Sequence, residues 1–509
     1  MSTARTWSVA LTGAEGHAVE VEADLSPQTP EFRIIGLPDK SLGEAVQRVH
    51  NACVNSGLSL PRRRLTVNLS PASLPKHGSA FDLAIAVASL AASDMLARRA
   101  VQQTVHLGEV GLDGRLRPVP GVLPAVFAAA RAGFERVIVP HGNATEAGLV
   151  AGVEVRAAAS LAEVAVWHGA EVEVPDVEPV PGPQPPEEGS DDRDLSDVLG
   201  QEEAVEALIV AAAGGHNMLL SGPPGAGKTM LAGRLPGIMP PLTEQEAIEV
   251  ASVRSLCGEA VTGLDHQPPL VAPHHSASVA AMVGGGSRTA RPGAVARAHR
   301  GVLFLDEAAE FPRVALDALR QPLETGFVDV HRSGFVVRFP ARFQLLLAMN
   351  PCPCGNRGVR DGDCICPPQA LRRYATRLSG PLRDRLDIDL PVSRVAASRS
   401  LAGKRSGVTT VEARRRVGEA RARAERRWRG TPWRRNAEVP GTLLRHGGFR
   451  LPPDARAGLD RALERGALTL RGYDRVLRVA WTMADLAGLD LPGTDEIGRA
   501  LLLRTGVAR

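Results

Sequence analysis

The chain has 509 residues, a formal net charge of +4, 44% hydrophobic residues, six cysteines and only four lysines. That length exceeds one ordinary core and predicts two to four domains. No apolar run approaches the roughly 20 residues that span a bilayer; the longest, Leu83 to Ala92, is half that, and the N-terminus lacks a signal-peptide core. A soluble protein with no membrane partner, located in the cytoplasm, is the expectation, and six thiols in a chain of this size do not make a disulfide scaffold.

Residues 1–170 alternate strand-like runs (Val19 to Val21, Arg64 to Leu69, Val137 to Val139) with helix-like ones (Leu42 to Asn55, Phe81 to Ala92, Leu123 to Ala132), which predicts an α/β domain. Residues 171–193 are proline-rich, and Glu171 to Asp194 holds nine acids and one arginine. Such a stretch is too polar for a core and reads as an extended linker. Residues 194–392 carry the nucleotide signature. Gly222 to Thr229 reads GPPGAGKT, a complete phosphate-binding loop preceded by the apolar run Asn217 to Leu220 and followed by a helix start at Met230. The loop Gly222, Pro223, Pro224, Gly225, Ala226, Gly227 is expected to close around phosphates, with the backbone N–H groups of its non-proline residues as donors. Lys228 would reach the terminal ones and Thr229 would hold magnesium.

About 80 residues later the apolar strand Val302 to Leu305 ends in Asp306 and Glu307. A carboxylate at Asp306 orders the magnesium shell, and Glu307 is placed to polarise the attacking water. The bland alternative is two surface acids capping a helix. A second apolar run, Phe343 to Met349, ends in Asn350, whose amide could sense the γ-phosphate or orient the lytic water. In Ser379 to Asp387 (SGPLRDRLD), Arg385 could enter a neighbouring subunit's site, making the active form a ring. The alternative there is that Arg383 and Arg385 pair with Asp384 and Asp387 on one surface.

Cys352, Cys354, Cys364 and Cys366 form a C-x-C, C-x-C cluster able to hold one zinc, with free thiols in a buried loop as the other reading. The adjacent His274 and His275 precede the glycine-rich Gly284 to Gly286 and are expected on an insert or pore loop. There the region would contact a threaded strand, with Arg288 or Arg291 touching phosphate. Residues 393–509 read as helical, and from Val392 onward 25 Lys or Arg face 12 Asp or Glu, a charge of +13. Arg414 to Arg435, interleaved with Trp428 and Trp433, suits phosphate neutralisation and base stacking, or else a solvated helix face.

Ala272 to Ser278 (APHHSAS), Leu319 to Gly326 (LRQPLETG), Ala348 to Gly355 (AMNPCPCG) and Ser379 to Asp387, with Ile34 to Asp39, Thr66 to Pro71 and Arg471 to Leu486, resemble the magnesium-chelatase-like AAA+ ATPases of the ComM/YifB type over almost the whole chain. The resemblance implies an ATP- and magnesium-dependent homo-hexamer of the helix-2-insert group that acts on single-stranded or branched DNA as a branch-migration helicase in recombination or natural transformation. It makes Arg385 the finger and Arg471 the second sensor, with Arg475 and Arg478 as neighbours able to do that job. Trp481 stands where the family carries an arginine, as do Gln267 and Val271. The first 170 residues resemble the Lon proteolytic domain, yet Ala80 occupies the serine position and the lysine position falls near Ala125, which implies a non-catalytic module. A shifted alignment would make Ser79 the nucleophile. Two further functions stay in play: a chelatase-type protein remodeller indifferent to DNA, and an ATP-dependent protease.

Overall fold

The computed structural model describes residues 2–36, 40–185, 193–286, 290–332, 335–357, 364–394 and 407–506. Its N-terminal part is built on a seven-stranded sheet in the order Glu31–Ile35, Arg64–Ser70, Glu15–Ser26, Ser2–Thr12, Thr104–His106, Arg136–Pro140, Glu154–Ala158. The strands Glu15–Ser26 and Arg64–Ser70 alternate buried and half-buried residues, the pattern of a sheet with one face on a core. The apolar run Leu83 to Ala92 lies in the helix Asp82–Ala92, and all eleven residues of that helix are buried. Its uniform hydrophobicity is therefore that of a core helix, and no helix among the described residues is long and apolar enough to cross a membrane. The helices Lys40–Asn55 and Val122–Arg131 complete the expected alternation.

The central part is a five-stranded parallel sheet ordered Leu270–Val271, Val302–Leu305, Gln344–Met349, Met218–Ser221, Ile388–Pro391. Val302–Leu305 and Gln344–Met349 are buried throughout, as strands covered on both faces must be. Because Gln344–Met349 lies between Val302–Leu305 and Met218–Ser221, the three residues that follow these strands, Asn350, Asp306 and Gly222, emerge side by side. The chemistry of an open parallel sheet gathers at this carboxyl edge.

Where it is described, the proline-rich segment has no regular structure, is mostly exposed and touches the N-terminal part at a few points. Val172 packs on the N-terminal core, and Gly182 lies so close to Gly142 that a Cβ on it would sit 2.1 Å from the Gly142 carbonyl oxygen. Residues 171–185 thus run along the N-terminal domain, while residues 186–192 lie outside the described residues. The same domain also leans on the central part. Ser255 Oγ, on the helix Glu244–Leu256, donates to Glu146 Oε2 at 2.6 Å, the Gly121 amide donates to the Ser255 carbonyl, and Ala251 and Val261 share a core with Val9, Val122 and Val126.

The C-terminal helices give half of the arginine-rich run partners inside the chain, while Arg414, Arg415, Arg426, Arg429 and Arg434 are exposed. On Thr410–Arg427, Arg416 pairs with Glu206 at 2.8 Å, Arg421 donates to the Ala212 carbonyl, and Arg427 pairs with the buried Asp485. Trp428 is 1% exposed, packs against Phe449 and Trp481 with ring centroids 4.6 and 6.3 Å away, and donates its indole N–H to Asn436 Oδ1 at 3.0 Å. This corrects the stacking reading of Trp428, whose ring has no face to offer a base. Trp481, in the family's arginine position, is equally buried, and the Arg427 guanidinium lies 4.4 Å from its centroid.

A buried histidine pair gives the N-terminal domain a pH signature. His106 Nε2 and His168 Nε2 are 2.9 Å apart, and His106 Nδ1 is 2.8 Å from Thr6 Oγ1. Burial pushes both imidazoles below their ordinary value, His168 to about 4. Because the folded domain binds these protons more weakly than the unfolded chain, the stability they contribute is complete above the unfolded value of about 6.5 and is lost as pH falls towards 4. Thermal unfolding followed from pH 7.5 to 4.5 should show the melting temperature dropping by about 5 °C or more. A His106→Gln/His168→Gln chain should have a flatter slope over that window whatever its absolute stability. Equal slopes would remove the pair as the cause.

Candidate nucleotide site

The strand Met218–Ser221 runs into a loop that needs glycine at several places, Gly225 at φ +74° among them. A Cβ at Gly222 would lie 2.1 Å from the Val392 carbonyl oxygen, and Gly227 holds φ +83° as it caps the helix Lys228–Ile238. The first turn of that helix therefore points its unpaired amides at the loop, a ready anion site. Lys228 is 8% exposed, and its Nζ donates to the carbonyls of Gly222 at 2.6 Å and Pro223 at 3.0 Å and to Asn350 Oδ1 at 3.1 Å. Burial lowers its pKa, opposed by Asp306 and Glu307. Met230, the third residue of that helix, is 47% exposed.

Thr229 Oγ1 donates to Asp306 Oδ2 at 2.6 Å, and Asp306 Oδ1 accepts from the Glu307 amide at 2.9 Å. A hydroxyl and a carboxylate meeting at that distance are hard oxygen donors of the kind magnesium takes, so the residues present fit the ion. Glu307 has φ +51°, a left-handed backbone that costs a non-glycine residue of order 1 kcal/mol and aims its side chain away from the strand axis. Helix capping by surface acids does not describe this pair, since Asp306 faces Thr229.

Glu307 Oε2 is 3.2 Å from His275 Nδ1. The contact follows from register. Leu270 and Val271 pair in parallel with Val302 and Leu303, so the segment leaving each strand runs towards the same edge. His274 stacks beside it, 4.0 Å between ring centroids, and holds Ser276 Oγ at 2.8 Å. The histidine pair, expected on a strand-contacting loop, is thus at the nucleotide site instead. Arg291 lies in a two-stranded pairing opposite Gly285 and is exposed, while Arg288 is outside the described residues.

Two loop contacts have no counterpart in any sequence motif. Gln201 Nε2 donates to the Ala226 carbonyl at 2.6 Å, and Arg394 Nε donates to the Pro224 carbonyl at 3.0 Å. Gln201 opens the helix Glu202–Gly214 and Arg394 follows the strand Ile388–Pro391, so both arrive through the tertiary fold.

Arg385 is not among the groups gathered at Lys228. Its Nη1 donates to the Pro381 carbonyl at 2.5 Å, it pairs with Glu324, and its side chain is 14% exposed. The alternative pairing with Asp387 also fails, because Asp387 is buried, takes the Asn217 amide at 3.0 Å and pairs with Arg475 Nη1 at 2.9 Å. Arg475 holds the carboxylate of Asp387 far below the usual range against the pull of burial, and is itself committed there. Arg478 is largely buried, with its pKa pushed down to about 10 by that burial. Arg471 is 70% exposed, with Asp384 Oδ2 at 3.7 Å, and has the freedom the other two lack.

In the N-terminal domain Lys76 is fully buried and gives its three donors to the carbonyls of Gly36, Leu69 and Pro71. Ser79 Oγ donates to Glu109. Lys76 is therefore spent on backbone oxygens, and Ser79 has a carboxylate partner. The four cysteines do come together, with their sulfurs within 4.8 Å of one another.

Three family models match successive parts of the chain. "Subunit ChlI of Mg-chelatase" covers residues 21–143, "Magnesium chelatase, subunit ChlI" residues 194–400, and "Magnesium chelatase, subunit ChlI C-terminal" residues 407–504. An uncharacterized protein of Mycobacterium tuberculosis is 48% identical over 100% of both chains. Competence protein ComM of Haemophilus influenzae is 41% identical over 96% of this chain and 94% of its own. YifB of Escherichia coli is 38% identical over 99% and 97%. With a chelatase-type ATPase domain built around a complete phosphate loop and near full-length similarity to both proteins, the chain belongs to the magnesium-chelatase-like AAA+ ATPase family of the ComM/YifB type.

Proposed function

We propose that this chain is an ATP-hydrolysing motor that assembles as a hexameric ring and moves DNA strands, promoting branch migration in recombination or transformation. The observation that carries the reading is the convergence of Lys228, Thr229, Asp306, Glu307 and Asn350 at the carboxyl edge of three neighbouring parallel strands. Lys228 and the loop amides bind the phosphates. Thr229 and Asp306 would hold a magnesium ion, which when bound would supply charge neutralisation at the terminal phosphates. Glu307 takes the proton of the attacking water, and Asn350 orients that water, as two groups flanking one reaction centre can. Arg385 completes a neighbouring copy's site, and Arg471 is the second sensor. Residues 194–392 form the motor, residues 393–509 its helical lid, and residues 1–170 a Lon-like module without peptidase chemistry. The four cysteines hold a structural zinc.

A DNA substrate is supported by the similarity to a protein named for competence and by the +13 charge of the C-terminal part. One observation favours the chelatase-type protein remodeller instead: Arg416, Arg421, Arg423 and Arg427 are spent on partners inside the chain. ATP hydrolysis measured alone and with single-stranded, duplex, forked and four-way-junction DNA separates the two, with Lys228→Ala as the blank. Stimulation of at least about threefold by branched or single-stranded DNA is expected of a motor whose cycle is coupled to its track. A rate indifferent to every DNA would favour the remodeller.

A further inference from the structure

The sulfurs of Cys352, Cys354 and Cys364 are separated by 3.3 Å (352 to 354), 3.8 Å (354 to 364) and 3.7 Å (352 to 364), and Cys366 lies within the same 4.8 Å set. Four thiolates placed about 2.3 Å from one tetrahedral centre stand about 3.8 Å from each other, the separation two of these pairs have. Thiols do not converge like this for their own hydrogen bonds, because S–H is a weak donor. Three of the four are also only half-buried, so water was available to them. The Arg357 amide donates to Cys352 Sγ at 3.4 Å, the support an outer layer gives a ligating thiolate. An all-sulfur donor set at this spacing selects a single soft-accepting ion, zinc before harder cations.

The cluster also touches the nucleotide site from two directions. Cys352 comes two residues after Asn350, whose Oδ1 accepts from Lys228. Gly355, at φ +78°, is pressed on the phosphate loop so closely that a Cβ there would sit 2.6 Å from Pro224 Cδ. We propose that Cys352, Cys354, Cys364 and Cys366 bind one zinc ion as a tetrathiolate, and that this metal clasp fixes the end of the Asn350 strand against the phosphate loop. Binding releases the thiol protons to solvent and changes no oxidation state. The clasp's effect on ATP rests on the nucleotide-site reading given above; the metal site itself does not.

The full chain purified without added metal or chelator should contain one zinc per chain by elemental analysis. Exchange into cobalt should give the visible absorption of a tetrahedral thiolate site. Less than about a tenth of an equivalent of zinc, with no such absorption after cobalt addition, would overturn the site. Titrating the wild-type protein with a mercurial should release the zinc and weaken ATP affinity about tenfold in parallel. Cys364→Ser/Cys366→Ser should do the same, with circular dichroism as the check that the chain has folded. ATP affinity that stays unchanged after zinc has left the folded protein would overturn the coupling. Lys228→Ala should lose ATP and keep its zinc, so a wrong nucleotide site and a wrong metal site give different results.

Discussion

A Glu307→Gln chain should bind ATP as the parent does and hydrolyse it roughly 10²–10⁴-fold more slowly, the range a positioned general base contributes. The side-chain amide keeps the shape of the carboxylate and can still face His275, while Lys228 contacts the loop and Asn350, Thr229 contacts Asp306, and Asp306 meets residue 307 only through its backbone amide, which the substitution keeps. What it lacks is a basic oxygen for the proton of the attacking water. Lys228→Ala should behave differently, since Lys228 is the buried cation beside the loop carbonyls, and its loss removes binding and turnover together. Equilibrium binding of a fluorescent ATP analogue and single-turnover hydrolysis, run on both variants, separate these effects. Full-rate hydrolysis by Glu307→Gln would take Glu307 out of the role of base.

The parts of this protein that could be read from its sequence are those whose chemistry is local. The phosphate loop, the acid pair after Leu305 and the amide after Met349 each end an apolar run, and a parallel sheet must bring such ends to one edge. The N-terminal alternation was legible for the same reason, a period of two or 3.6 in the burial of Glu15–Ser26 or Lys40–Asn55. What escaped depends on partners far along the chain. His275 meets Glu307 through the register of two strands, and Gln201 and Arg394 reach the loop from residues without a pattern. The arginine-rich helix illustrates the limit of counting charge. Arg416 finds Glu206 across 210 residues and Arg427 finds Asp485 across 58, so some guanidiniums that look like a polyanion surface are structural pairs. A tryptophan between arginines likewise reads as a stacking platform until Phe449 and Trp481 close over it.

Arg385→Ala should leave ATP affinity unchanged and cut hydrolysis roughly a thousandfold, and mixing it with Lys228→Ala chains should restore part of the rate. The reason lies in where Arg385 sits. Its guanidinium is bound to Glu324 and the Pro381 carbonyl of its own chain, apart from Lys228, Asp306 and Glu307, so under the proposed ring arrangement its help to a terminal phosphate would go to another copy. In a ring assembled at random from equal amounts of the two variants, about a quarter of interfaces pair an intact Lys228 with an intact neighbouring Arg385, although each variant alone has none. Sites completed within one chain would give no such recovery. Arg385→Lys should regain some activity if charge is what the neighbour needs, and no activity if the planar pairing with Glu324 only holds the fold. Co-assembly confirmed by light scattering together with zero recovered hydrolysis would mean that Arg385 serves its own subunit, and that the ring, if it forms, does not build its catalytic sites between copies.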